Sequence, residues 1–424
     1  MIADDRSRAV AEFVATQFGR ETAFLAELVR VPSDNPPGDC APHAQRARAL
    51  LEDLGFEVET HVVPDGVVRA NGMIAATNLI VRQRFGRGGP TIALNAHGDV
   101  VPPGRRWTRD PYGAEIVQDP THGPVMYGRG VAVSKSDFAT YTWAMLALCD
   151  LQRRGAELNG SLELHFTYDE EAGGTIGPRW LLEQGLSRPD LAICAGFSYA
   201  VTTAHNGCLH LEVVVNGKSG HAALPETGVD ALEAATRILD ALYSHRAQLA
   251  ARRSRVSGIG SATLNVGLIE GGINTNVVPD RVTLRIDRRI IPEESVAAAE
   301  KELREVIASA VAARAGITLE IRRILLAAAL VELPAAARLI LALRTHGERQ
   351  FGVPIGVTGV PLYTDARHYS SAGIATVLYG AGPRTLQEAN GHGPDECLRL
   401  NDLQSATCVV ALALADLLSS SGTP

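Results

Sequence analysis

Leu94-Asn95-Ala96-His97-Gly98-Asp99 closes a short apolar run with a histidine and an aspartate two residues apart. Residues 91–95 read as a buried strand, so the polar pair falls at its C-terminal end, where open α/β sheets bind ligands. A second place of the same kind follows. Residues 161–167 form another strand-like run, and Thr167-Tyr168-Asp169-Glu170-Glu171-Ala172-Gly173-Gly174 leaves its end. Helical periodicity covers residues 6–29, 42–54 and about 135–151, and residues 191–194 give one more short strand. Strands alternating with helices predict an α/β fold with a mostly parallel sheet.

Asn206-Gly207 reads as a turn, and the pattern changes after it. A strand at 209–215, a helix at 229–244, strands at 262–269 and 281–287, a helix at 292–315 and a strand near 317–322 follow in order. This βαββαβ succession predicts a ferredoxin-like unit. It is expected to span residues 207–325, inserted into a domain built from residues 1–206 and 326–424.

A chain of 424 residues has room for two or three domains and a large core. Its 46% hydrophobic and 21% charged content is ordinary for a globular protein. A net charge of −7 argues against nucleic acid as the main partner, which would need a concentrated basic surface. No basic amphipathic segment favours a membrane surface, and the apolar stretch 324–343 is interrupted by Glu332, Pro334 and Arg338. Cys40, Cys149, Cys194, Cys208, Cys397 and Cys408 show no close pairing and no signal-like segment opens the chain, so a cytoplasmic protein with reduced thiols is expected.

Which residues carry chemistry? A histidine beside a carboxylate can bind a metal through one ring nitrogen while the other is fixed. Adjacent glutamates can divide the work of a metallohydrolase, one binding the cation and one moving protons. In isolation each signal is weak: a lone histidine is more often structural, and a Glu-Glu pair is more often a solvated turn. A third segment, Asn390-Gly391-His392-Gly393-Pro394-Asp395-Glu396, adds a histidine in a turn-rich loop.

Together with Tyr127-Gly128-Arg129-Gly130-Val131-Ala132-Val133-Ser134-Lys135, Gly104-Arg105-Arg106-Trp107 and Tyr363-Thr364-Asp365-Ala366-Arg367, these stretches give the chain its resemblance. It resembles the dinuclear zinc amidohydrolase and metallopeptidase family of acetylornithine deacetylase, succinyl-diaminopimelate desuccinylase and carboxypeptidase G. The resemblance implies His97, Glu171 and His392 as metal ligands, Glu170 as general base and Asp99 as a catalytic partner of His97. It implies that the inserted unit is a lid that also mediates dimer contacts, so a homodimer or higher homo-oligomer is expected. Within that unit, Gly217-Lys218-Ser219-Gly220-His221 resembles the lid segment whose histidine stabilises oxyanion charge across the dimer. Asn276 and Arg289 match segments lining the substrate site, and Arg289 has the fork suited to a substrate carboxylate. Arg288 is expected to be a solvated neighbour pointing the other way.

Two departures from the family pattern matter. Val133 stands where the family has the aspartate bridging two metals, and Gly196 stands where it has an acid for the other metal. The expectation is one weakly held divalent cation per chain, Zn, Mn or Co, with iron also compatible with two histidines and a carboxylate. Asp137, one helical turn beyond Val133, is a possible substitute ligand. Residues 131–138 also resemble the branch containing 5-nitroanthranilic acid aminohydrolase. The expected reaction is therefore C–N bond hydrolysis in a small carboxylate-bearing substrate, leaning to replacement of an activated aromatic amino group by hydroxyl with release of ammonia. The alternatives are N-acyl amino acid deacylation or dipeptide hydrolysis, and a catalytically inactive binding protein.

Overall fold

The computed structural model describes residues 3–132 and 134–419. Val133 lies outside the described residues. The chain divides into two compact units, one of residues 1–203, 332–357 and 364–424, the other of residues 204–331 and 358–363. Each has its own hydrophobic core.

The first unit is built on a mixed eight-stranded sheet. Its centre is parallel: Gly160–Thr167, Thr91–His97, Leu191–Cys194 and Ala375–Leu378 lie side by side in that order. Leu162, Leu164, Ile92, Leu94, Ile193 and Val377 are fully buried, as expected of strands covered on both faces. Thr77–Phe85 and Val58–Val62 extend one edge antiparallel. A smaller antiparallel sheet joins Glu115–Asp119, Gly123–Tyr127 and Cys397–Arg399.

Among the described residues one helix, Leu400–Ser419, is long and apolar enough to cross a membrane. Some 78% of that stretch is buried inside the protein, against helices Ala3–Val29, Lys135–Arg153 and Ala337–Phe351. Where it meets the first helix, Thr407 Oγ1 donates to Glu21 Oε1 at 2.5 Å, and Glu21 Oε2 has no partner among the described residues. Burial pushes the Glu21 carboxyl up from 4.5 to about 8, against the hydrogen bond from Thr407. A raised folded-state pKa means that the ionised side chain costs stability, from nothing below pH 4.5 to its full value near pH 8. Glu21→Gln should therefore raise the melting temperature relative to the native chain increasingly across that window. The gain is at most about 1.4 kcal/mol per pH unit. A difference that stays flat from pH 5 to pH 8 contradicts a neutral Glu21.

The second unit is a four-stranded antiparallel sheet of Gly207–Asn216, Thr263–Gly271, Arg281–Ile290 and Thr318–Ala327. Helices Ala231–Leu249 and Val296–Val311 complete the βαββαβ succession. Leu209, Leu211, Val213 and Val215 alternate along the first of these strands and pack with Ile238, Leu242, Leu303 and Ile307 of the helices. The even-numbered residues of that strand therefore lie on the face away from this core. Three sequence expectations need correction. Asn206-Gly207 is no reversal, because strand Ala200–His205 resumes at Gly207 after a single-residue break. Residues 358–363, read as part of the first domain, cluster with the second unit, where the Asn206 amide donates to the Val360 carbonyl. Arg288, expected in solvent, is 1% exposed and paired to Glu294 at 2.6 Å, because its side of the strand is the covered one.

Candidate active site

Strands Thr91–His97 and Gly160–Thr167 run parallel with His97 opposite Thr167, so the segments leaving them start side by side. The Gly98 amide donates to the Thr167 carbonyl at 2.8 Å. A Cβ at Gly98 would stand 2.3 Å from the Tyr168 ring, which is why no side chain separates His97 from Asp99. His97 is fixed twice. Its backbone amide donates to Ser134 Oγ at 3.1 Å, and its ring Nδ1 donates to the Asp99 carbonyl at 3.0 Å. That engagement leaves Nε2 for a cation.

Asp99 ties the two loops together. Its Oδ1 accepts from the Glu170 amide at 3.2 Å, and its Oδ2 accepts from the Glu171 amide at 3.1 Å and from Asn35 Nδ2 at 2.9 Å. With both oxygens so engaged, Asp99 works as a positioning residue. Glu170 and Glu171 occupy one turn of 3-10 helix, Glu170–Ala172. Ligand atoms of His97, Glu170 and Glu171 all lie within 4.8 Å of one another.

His392 joins them from a distant segment, with Nε2 3.4 Å from Glu171 Oε1. Its loop is costly. Asn390, His392 and Asp395 have φ of 52°, 62° and 53°, a left-handed conformation worth roughly 1–2 kcal/mol against a residue with a Cβ. Pairing of Cys397–Arg399 with Gly123–Tyr127 brings this loop over Arg129. The buried Arg129 guanidinium pairs with Glu396 at 2.6 Å and donates to the carbonyls of His392 (3.3 Å) and Gly393 (3.1 Å). Glu396 Oε1 in turn accepts from the Ala132 amide at 3.0 Å.

The electrostatics favour a cation. Burial works against a charged His97, yet the Asp99 carboxylate beside Nδ1 and the charges of Glu170 and Glu171 outweigh it and raise the imidazole well above its usual range. The hydrogen bond to Glu171 raises the His392 imidazole above its usual value. Glu170 is raised well above the carboxylate range by burial, with Glu171, Asp365 and Asp99 adding to the effect against His97. Three acidic neighbours, a free imidazole nitrogen and a second histidine form a donor set that suits a divalent ion in place of those protons.

Of the two positions where the family resemblance implies lost ligands, Gly196 is described and closed. A Cβ there would come within 2.7 Å of Leu378 Cβ and of the Tyr379 backbone nitrogen, so no acid fits without moving the neighbouring strand. Asp137, the possible substitute, is buried with Oδ1 accepting from the Ala381 amide at 2.7 Å, and the Gly196 amide also bonds to it. It serves as a backbone clamp between the ends of two strands and is not among the clustered donors. Lys135 is likewise structural, buried with its ammonium on the carbonyls of Leu28 and Val31.

Three contributors escaped the sequence reading. Asn35 and the Arg129–Glu396 pair act through contacts dozens to hundreds of residues apart, for which sequence spacing gives no signal. Asp365 lies in a stretch already singled out but was assigned no role. It is buried, pushed up to about 6 by burial, and its Oδ1 has no partner among the described residues.

The remaining sequence candidates lie in the second unit. Arg289 Nε donates to Asp287 Oδ1 at 3.0 Å and its guanidinium lies 5.9 Å from the centroid of the Tyr363 ring. His221 is exposed, its Nδ1 accepting from the Ala223 amide at 3.1 Å. Asn276 is also exposed, and its carbonyl accepts from the Ala222 amide.

Known proteins resemble the chain in sequence and in fold. Succinyl-diaminopimelate desuccinylase of Gluconacetobacter diazotrophicus is 28% identical over 274 residues, covering 62% of this chain and 65% of that protein. Acetylornithine deacetylase of Myxococcus xanthus is 31% identical over 275 residues, covering 64% and 67%. The chain thus spans about two thirds of the length of these curated relatives. Among solved structures, a tripeptidase from Staphylococcus aureus superposes with a TM-score of 0.74 at 18% identity, covering 95% of this chain and 98% of that one. The model of peptidase family M20/M25/M40 matches residues 93–416, and the chain belongs to that family.

Proposed function

We propose that the chain hydrolyses a C–N bond in a small carboxylate-bearing substrate, using one divalent cation held by His97, Glu171 and His392. The convergence of the His97, Glu170 and Glu171 donors within 4.8 Å carries this reading. Zn, Mn or Co suits two histidines and a carboxylate, and the closed space at Gly196 favours one ion over two. When bound, such an ion supplies Lewis-acid polarisation and makes water easier to deprotonate. Glu170 takes a proton from the attacking water and returns it to the departing nitrogen. Asp99 holds His97 and both glutamate amides in place. His221 and Asn276 are assigned to oxyanion and substrate contacts, with a homo-oligomer bringing the smaller unit of one copy to a neighbour.

With a single ion, charge building on an ordinary amide oxygen has one Lewis acid to rely on. An activated aromatic ring needs less help, because it spreads the added charge over itself. This favours an aminohydrolase acting on an aromatic amine of the 5-nitroanthranilate type: water adds at the ring carbon, the C–N bond breaks and ammonia leaves. Deacylation of an N-acyl amino acid or dipeptide hydrolysis is the second reading, favoured by the relatives' names. A catalytically inactive binding protein is disfavoured by the intact His97, Glu170, Glu171 and His392.

The assay that separates these is ammonia release from 5-nitroanthranilate with Mn²⁺, beside a chelator-treated control and a panel of N-acetyl amino acids and dipeptides. Metal-dependent ammonia release is expected. Amine and free acid from the panel instead would establish the second reading, and no turnover on any substrate would overturn the hydrolase. Arg289, whose Nε donates to Asp287, is assigned to the substrate carboxylate. Arg289→Ala should raise KM by about 10–100-fold, the worth of a charge-assisted pair, with a smaller change in kcat. An unchanged KM removes Arg289 from the substrate site.

A further inference from the structure

Cys208, His210 and Asp287 form a second donor cluster, in the smaller unit. Cys208 and His210 are two apart on strand Gly207–Asn216 and so share a face. His210 stands directly opposite Asp287 on strand Arg281–Ile290, and Cys208 opposite Arg289. This face is the one turned away from the helix-covered core. Their donor atoms converge: Cys208 Sγ is 3.2 Å from His210 Nε2 and 3.8 Å from Asp287 Oδ2, and His210 Nε2 is 2.8 Å from Asp287 Oδ2.

Two chemistries could account for a Cys-His-Asp cluster. A nucleophilic triad needs the imidazole to use both nitrogens, one toward the thiol and one toward the acid. Here thiol and carboxylate both meet the same nitrogen, Nε2, so no relay through the ring exists. Three unlike donors aimed at one point are instead the geometry of chelation. Zinc bond lengths of about 2.3 Å to sulfur and 2.0–2.1 Å to nitrogen or oxygen imply donor separations of roughly 3.3–3.6 Å in a tetrahedron. The observed separations of 3.2, 3.8 and 2.8 Å need shifts of only about half an ångström.

We propose that Cys208, His210 and Asp287 bind a thiophilic divalent cation of the zinc class, independent of the ion at His97, Glu171 and His392. Thiolate and carboxylate together neutralise the ion, with His210 neutral and the thiol proton released to solvent on binding. Arg289 acts as the outer support, its Nε holding Asp287 Oδ1 and leaving Oδ2 for the metal. Three protein ligands leave a position for water or an anion.

Cobalt(II) tests this without reference to activity. The chelator-stripped full chain is titrated with Co²⁺ and the near-ultraviolet thiolate-to-cobalt charge-transfer band is recorded. The catalytic set holds only nitrogen and oxygen donors, so the band reports the smaller unit alone, whatever becomes of the proposed reaction. A saturable band is expected that vanishes in Cys208→Ser and survives in Glu171→Gln. In His210→Ala the affinity behind it should fall by more than about 100-fold, beyond the loss of an outer support. Should Cys208→Ser fail to fold by circular dichroism, His210→Ala carries the test. Absence of a band at Co²⁺ saturation, or a band unchanged in folded Cys208→Ser or in His210→Ala, would overturn the site.

Discussion

Glu170→Gln should lower kcat by about 10²–10⁴-fold while leaving cation affinity within a few-fold of the native chain. The amide is nearly isosteric and keeps its place in the turn Glu170–Ala172, because Asp99 grips the backbone amides of residues 170 and 171 and not their side chains. What it loses is the ability to accept a proton. Calorimetric metal binding measured beside turnover separates the two effects. Retained turnover removes Glu170 as the base, whereas equal losses of metal and turnover would make it a ligand. The second outcome has a structural footing, since Glu170 lies within the same 4.8 Å group as His97 and Glu171.

Arg129→Met should cost about 3–5 kcal/mol of stability and take most of the activity with it. The guanidinium is 1% exposed, and its removal leaves the Glu396 carboxylate buried without a counter-charge, held by the backbone amides of Ala132 and Gly130. The carbonyls of His392 and Gly393 lose their donor at the same time. A loop already carrying three left-handed residues then has less to hold it, and His392 drifts from Glu171. Denaturant unfolding gives the first number and metal affinity the second. The double variant Arg129→Met, Glu396→Gln should recover part of the stability, because no unpaired charge remains, but not the metal affinity. A loss under 1 kcal/mol in the single variant contradicts a buried ion pair as the support of this loop.

The two halves of this site differ in how far the sequence disclosed them. His97 and Glu170-Glu171 were legible because parallel strands place their C-terminal loops at one edge, and the runs ending in Asn95 and Thr167 were recognisable as strands. The inserted unit was legible because periods of 2 and 3.6 alternate cleanly between residues 207 and 325. His392 was found by resemblance alone; its place beside Glu171 depends on Arg129, 263 residues away, and on a sheet between segments with no local signature. Asn35 escaped for the same reason, being an ordinary loop residue until Asp99 is folded against it. Arg288 was misread because alternation fixes which way a side chain points but not what covers that side. The Cys208, His210 and Asp287 cluster shows the same limit: the spacing of the first two was visible, while the register that sets Asp287 opposite was not.

The most direct measurement of the central claim is calorimetric titration of Zn²⁺ or Mn²⁺ into chelator-stripped Cys208→Ser protein, so that only the site at the strand ends is counted. One ion per chain is expected, with binding lost in His97→Ala and in His392→Ala. Two ions per chain in Cys208→Ser, or none, would contradict a single-cation hydrolase built on His97, Glu171 and His392.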